Sequence, residues 1–409
     1  MKKLNNLSYG ILNTIQNAIF PLVTLPYVLQ TLGPELYGEN LHAVIFHQLF
    51  SFLFILAINP YALRLFSHAM ADGKIIEECV FNRVVSFQFI MSSVATVLQL
   101  TIISVLNLLS PLYLLYTVIT FFTFMNVEWL FQARQNYKTI FFRTFFIRLL
   151  VLCSLFFFIK GNDDFYKYSM IMAFNLILPA IVTFILARRF YCLKFSFKDV
   201  KNDFFDAKYF YVNGAIGSIY SYLDQVVIGL LVSSKELTIL NLIKTLASTI
   251  MSVPNLVNRF IMPDALSAFK SDKLFSHHKK YFTLMLLCLT IGLSVIYFFG
   301  LPVITMLFGS KVDFNQFYLL LISVSVFFTS ISVYIDTQSS IVLCLEKITT
   351  TSNIMVTIVS VIMAITLFDE FSYLSPFIGF IIGEFSGVMT MVLLHLFVFK
   401  TNFTRRRML

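Results

Sequence analysis

Twelve apolar stretches follow one another along the chain with little polar sequence between them: 10–32, 41–66, 84–108, 111–131, 140–159, 169–187, 209–232, 238–262, 282–308, 316–343, 352–368 and 376–399. Stretches of about 20 residues, at about 1.5 Å rise each, cover the hydrocarbon core of a bilayer as helices. In lipid the backbone must satisfy its own hydrogen bonds, and a helix does so within one segment. The expectation is an all-α polytopic membrane protein with twelve transmembrane helices. Charged residues are only 12% of the chain, against about a quarter in soluble domains, and no polar segment is long enough for a separate soluble domain.

The stretches fall into two sets of six. Aligning Pro60 with Pro263 also aligns Ala62 with Ala265, Leu63 with Leu266 and Phe66 with Phe269; Glu35, Leu36 and Asn40 match Glu236, Leu237 and Asn241 at nearly the same offset. These echoes point to two pseudo-symmetric six-helix bundles, residues 1–190 and 209–409, in parallel orientation because six is even. Residues 191–208 form a basic cytoplasmic linker, expected to lie as a tether on the anionic inner leaflet.

Most of the 30 lysines and arginines fall in loops on the side of the N-terminus, including Lys2, Lys3 and the Arg405–Arg407 run. Only Lys160, Lys167, Lys235 and Lys311 lie in the opposite loops. The positive-inside rule then places both termini in the cytoplasm. The net charge of +9 thus reports topology and contact with anionic lipid heads, with no call for nucleic acid. The apolar run after Lys2 and Lys3 lacks a small-residue cleavage site and reads as a retained helix. The five cysteines avoid the outer loops, and neither a disulfide nor a metal pair is implied.

Within the first stretch, Asn13, Gln16 and Asn17 place amides in the opening turns, and Pro21 and Pro26 each remove a backbone N–H. A helix so built is expected to bend or unwind at these hinge prolines and to line an interior pathway. The run FPLVTLPYVLQTLGPELYG, with its proline pair and its LGPE-Y-G turn, resembles the first helix and outer turn of Wzx-type polysaccharide flippases. These belong to the MOP exporter superfamily, which includes the MATE drug transporters. NVEWLFQARQNYK (Asn126–Lys138) is similar to the W-x-F-Q-G-like run of that family, matched at Trp129, Phe131 and Gln132, with Ala133 in place of the glycine. LDQVVIGLL (Leu223–Leu231) resembles the start of its second half. Trp129, the only tryptophan, reads equally as an interfacial anchor.

Ionisable residues inside the spans are expensive and mark pathways. Arg64, Arg259 and Glu128 lie near inner helix ends, where they can snorkel. Arg148 is deeper, and its guanidinium suits phosphate oxygens. Asp224 and Lys244 sit at similar depth on adjacent helices and form a candidate ion pair. Asp224 and Glu384 are candidates for proton or sodium coupling. His47 reads as a satisfied core residue, and His277–His278 with the lysines that follow as a solvated basic run. There is no HExxH, phosphate-cradling glycine loop or nucleophile elbow, so neither catalysis nor a bound metal or other cofactor is expected.

What the resemblance implies is a flippase that carries an undecaprenyl-pyrophosphate-linked oligosaccharide across the bacterial inner membrane by alternating access, coupled to H+ or Na+. Arg148 and Lys244 would meet the pyrophosphate, and Tyr27, Tyr220 and Tyr222 the sugar. Expected partners are the lipid-linked oligosaccharide, membrane lipids and other polysaccharide-assembly proteins. The rival readings are a MATE-like cation-coupled drug exporter and a membrane polysaccharide polymerase or ligase. The first would need a net acidic cavity. The second would need a large outer loop, and every outer loop here is short.

Overall fold

A computed structural model describes residues 2–55, 58–196, 202–208, 222, 224–271, 273–309, 311–343 and 345–407. Among these the regular structure is helical, with no strand. The chain divides into two compact units, Met1–Lys235 and Glu236–Leu409. The first holds α1 (Lys2–Thr31), α2 (Gly33–Phe54), α3 (Asn59–Asp72), α4 (Lys74–Val105), α5 (Pro111–Phe122), α6 (Glu128–Ala133), α7 (Tyr137–Phe158), α8 (Phe165–Arg188) and α9 (Asp224–Leu231). From the boundary onward come α10 (Ser234–Lys270), α11 (Leu274–Phe308), α12 (Gln316–Ile335), α13 (Glu346–Thr366) and α14 (Ser375–Arg407).

Among the described residues, nine helical segments are long and apolar enough to cross a membrane, or ten if α2 and α3, bent by 42°, count as one span. The expected twelve are therefore not all found. The amides and prolines of α1 dilute its hydropathy, and of the seventh expected span only Tyr222 and Asp224–Leu231 are described. The bent pair also separates the two halves in detail. Pro60 lies in the first turn of α3, just past a break in the chain of helix, whereas Pro263 sits inside the 37-residue α10.

Of the expected bend or unwinding of α1, the unwinding is corrected. It runs as one α-helix through Pro21 and Pro26, as membrane helices do when neighbours hold the backbone; here α7 packs along it. Its end is set by Gly33, whose φ of 82° is open to glycine at little cost, and Pro34 then opens α2, where its missing N–H is not needed.

The break falls instead in the fourth span. The helix that starts at Pro111 passes into a 3-10 turn at Thr123–Met125, leaves helical geometry at Asn126 and Val127, and resumes at Glu128. Gln88 of α4, fully buried, donates Nε2 to the Asn126 carbonyl at 3.3 Å. Irregular backbone at membrane depth persists where protein covers it or where it lines a cavity, and both apply here.

The inner end of the first unit is a core of Phe66, Phe81, Trp129, Phe131 and Tyr191. Trp129 is fully buried, its ring 5.5 Å from Phe66 and 6.4 Å from Phe81. It is thus no interfacial anchor. Phe131 is buried beside it, and Gln132 donates to Glu128 at 3.1 Å while Arg143 pairs with the other carboxylate oxygen at 2.8 Å. Glu128 is accordingly paired, not snorkelling. Ala133 is helical, and the left-handed residue comes two positions later, at Gln135 (φ 53°), so the glycine of the family pattern is not needed at 133.

The linker also differs from the expected tether. Its first part runs back along α4: Asn82 bonds the Cys192 carbonyl and the Lys194 N–H, and Ser86 accepts from the Ser196 N–H. Asp203, fully buried, takes a two-pronged bond from Arg83 and a 2.6 Å bond from the Tyr61 hydroxyl. Arg134 and Tyr191 both donate to Glu77. Burial, with the Glu77 carboxylate beside it, holds the Tyr191 phenol well above its usual pKa, so it remains a donor. Charge in the described part of this linker meets protein partners.

In the second unit α13 lies against α14 along Gly379, Gly383 and Gly387, which face Val356, Ser360 and Ala364. Small residues at spacing four let two backbones approach in a membrane, where no hydrophobic force draws helices together. Ser352 Oγ bonds the Gly387 carbonyl at 2.8 Å across this contact. α12 ends in a π-helical turn at Asp336–Ser340, and Gln338 in that turn bonds the Asn258 carbonyl at 2.7 Å. His277 is buried and His278 meets Tyr334 and Ser339 at 3.2 and 3.4 Å, while Lys279 and Lys280 are exposed. The lysines are exposed as expected, whereas His277 is buried and His278 packs against the second unit's Tyr334 and Ser339, not in a solvated run.

Candidate substrate site

Two features of the first unit can hold a ligand. The first is on the α1–α7 contact. Arg148 is near the middle of the 22-residue α7, about 15–16 Å from either end at the helical rise. Its guanidinium lies 5.0 Å over the Phe20 ring of α1, and its Nη1 is buried with no hydrogen-bond partner. The aromatic face steadies the cation, and the planar donors remain free along the edge. About one and a half turns away, Arg143 is already matched by Glu128. Arg148 thus keeps a guanidinium with an unmet buried donor near the middle of α7.

Tyr27 shares the α1–α7 contact, but its hydroxyl donates to the Ile159 carbonyl at 2.6 Å and its ring rests on Phe156 at 4.6 Å. Its polar handle is committed to holding α1 against the end of α7.

The second feature is a cavity of about 130 Å³ under the break in the fourth span, lined by His47, Gln48, Ser51, Thr123 and Asn126 with Phe52 and apolar side chains of α5 and α8. His47 Nδ1 meets Thr120 Oγ1 at 2.8 Å, and Thr120 donates to Gln99 Oε1 at 2.6 Å. Ser51 lies 3.3 Å from the same ring nitrogen. His47 is satisfied, as its sequence context suggests, yet it is also a wall of a cavity. Toward the outer end of α2 the polar seam continues through Asn40 to Tyr116 (2.9 Å) and His42 to Tyr113. Tyr222 packs its ring 5.0 Å from Phe52, which brings one of the tyrosines selected from sequence beside this cavity.

Tyr220 is outside the described residues. Asp224 opens α9 and bonds the N–H of Gln225 at 2.8 Å; it falls in the first unit and Lys244, half-buried on α10, in the second. Glu384, 8% exposed, stands on α14 beside Gly383. Among the described residues no group of histidine, cysteine and carboxylate side chains is arranged to hold a metal ion.

A sequence profile described as polysaccharide biosynthesis protein matches residues 4–263, well over half the chain. The chain belongs to the polysaccharide biosynthesis protein family. Among solved structures, this family member is similar to the eukaryotic MATE transporter AtDTX14, with a TM-score of 0.60 at 16% identity over 97% of this chain and 95% of that one. It is also similar to an outward-facing multidrug resistance MATE family transporter of the MOP superfamily, with a TM-score of 0.50 at 12% identity, covering 97% of this chain and 94% of the other. At these identities the likeness is one of fold. No curated protein sequence matches. The family and the apolar helical spans together make this protein a multi-pass membrane protein of the polysaccharide biosynthesis family with a MATE-like fold, in line with the first-helix and W-x-F-Q resemblances.

Proposed function

We propose that this protein is a flippase that moves an oligosaccharide, carried on undecaprenyl pyrophosphate, from the cytoplasmic to the outer leaflet of the bacterial inner membrane, with both its termini in the cytoplasm. The observation that carries this reading is Arg148: a guanidinium at mid-membrane depth with a buried Nη1 that no protein group meets. A charge at such depth costs several kcal/mol unless paired or hydrated, and a pyrophosphate passing through supplies the missing partner. Lys244 offers a second cation from the other unit, and Asp224 or Glu384 a carboxylate for H+ or Na+ coupling. Other polysaccharide-assembly proteins would supply and consume the cargo. A drug exporter for cations gains nothing from an open guanidinium.

The test is complementation of a cell lacking its own O-unit flippase by the intact protein and by Arg148→Gln, Lys244→Ala and Asp224→Asn, each checked for membrane abundance. Rescue by the intact protein and its loss in Arg148→Gln at normal abundance are the expected results. Full rescue by Arg148→Gln overturns the role of this residue. A cation-drug resistance phenotype without rescue overturns the flippase reading itself.

A further inference from the structure

We infer that the cavity under the broken fourth span is a binding site for one uncharged pyranose ring. The inference takes its cargo from the flippase reading and its chemistry from the cavity alone. Its size is the first argument: about 130 Å³, against the ~150 Å³ of an engineered cavity that accepts benzene, takes one sugar ring edge-on with its outer substituents left at the mouth and has no room for a second. Its polarity is the second. His47, Gln48, Ser51, Thr123 and Asn126 line it, and none of its lining residues is Asp, Glu, Lys or Arg. A charged sugar would enter without a counter-charge and lose its hydration. A neutral ring with several hydroxyls exchanges water for these side chains at little cost.

The individual groups match hydroxyl chemistry. Gln48 is half-buried and takes part in none of the hydrogen bonds among the described residues, leaving both its donor and its acceptor for a ligand. Asn126 uses its Oδ1 on the Glu128 N–H at 3.3 Å and keeps its Nδ2 as a donor. His47 Nδ1 is shared between the Thr120 and Ser51 hydroxyls at 2.8 and 3.3 Å. Donors and acceptors thus line the cavity beside the Phe52 ring. The break at Thr123–Val127 is what turns Thr123 and Asn126 into this space.

The full-length protein, with its cysteines replaced by alanine, is given a reporter thiol at Leu176→Cys or, separately, Ile177→Cys on the apolar wall, and its modification by neutral methyl methanethiosulfonate is timed in nanodiscs. Glucose, galactose, rhamnose and N-acetylglucosamine are the probes, glucuronate and protonated glucosamine the charged controls, and mannitol the acyclic one. At about 100 mM, at least one neutral pyranose slows both reporters about threefold or more, as a Kd up to about 50 mM requires, and the controls do not. Gln48→Leu removes the protection. Absence of protection by all four neutral sugars, equal protection by a charged sugar, or protection that survives Gln48→Leu each overturns the inference. Protection in a protein that fails complementation and confers cation-drug resistance keeps the sugar site and rejects the flippase reading; complementation without protection does the reverse.

Discussion

Replacing Gly379 by alanine tests whether the α13–α14 contact is as close as the glycine spacing implies. A Cβ at 379 would stand 2.6 Å from the Ser360 carbonyl and 2.9 Å from the Ala364 nitrogen. Both are backbone atoms, so no side chain can rotate away; α14 must shift by roughly 0.8 Å to restore ordinary 3.4 Å contact. Overpacking of this kind costs about 1–3 kcal/mol, while alanine gains about 1 kcal/mol over glycine in a helix interior. Gly292 on α11 provides the control, since a Cβ there meets nothing within 4 Å and only the helix gain applies. The two variants should therefore differ by about 1–3 kcal/mol, with Gly292→Ala the more stable. At roughly 2–4 °C per kcal/mol for a unit of this size, heating in mild detergent and scoring the monodisperse fraction resolves the gap. A Gly379→Ala protein as heat-resistant as Gly292→Ala would refute the close contact.

Other consequences are cheaper to check. Trp129, the only tryptophan, should emit at short wavelength and resist quenching by lipids brominated near the headgroup; strong interfacial quenching would return it to the membrane surface. Asp203→Ala strands Arg83, the loss of one partner in a buried pair being worth about 3–5 kcal/mol, so limited proteolysis should cut the linker faster, and adding Arg83→Ala should recover part of the loss. Asn82→Ala removes two bonds to the linker, each worth about 0.5–1.5 kcal/mol, and should speed the same cleavage by a smaller factor. Gly33→Ala places a Cβ at φ 82° at a cost of about 1–2 kcal/mol, lowering the thermal midpoint although nothing crowds the position; an unchanged midpoint would mean that α1 and α2 join differently.

What was legible in the sequence was set by patterns that a bilayer imposes on every residue alike. Span length and the apolar runs gave helices at nearly all the expected places, and the LGPE turn ended α1 where its glycine and proline require. Depth singled out Arg148 because charge is costly at any mid-membrane position, whatever surrounds it. The glycine ladder at 379, 383 and 387 carries the same kind of signal, i, i+4, i+8, and was readable although it was not read.

Proline does not mark where the first and fourth spans depart from regular helix. Pro21 and Pro26 sit within an unbroken helix, whereas the FFTFMN segment of the fourth span, with neither proline nor glycine, breaks. What makes the break tolerable is not in the segment at all. Gln88, 38 positions earlier, supplies the Asn126 carbonyl with a donor, and the His47–Thr120–Gln99 chain satisfies the polar groups next to it. A helix opens where distant side chains can cover the freed carbonyls, and such compensation is invisible to any local window. Gln88→Leu removes the donor to the Asn126 carbonyl and should close the irregular turn toward helix or destabilise it, shifting Asn126 in the cavity wall. If ring protection at Leu176→Cys survives Gln88→Leu, the cavity does not depend on the break, and the link between irregular backbone and binding fails.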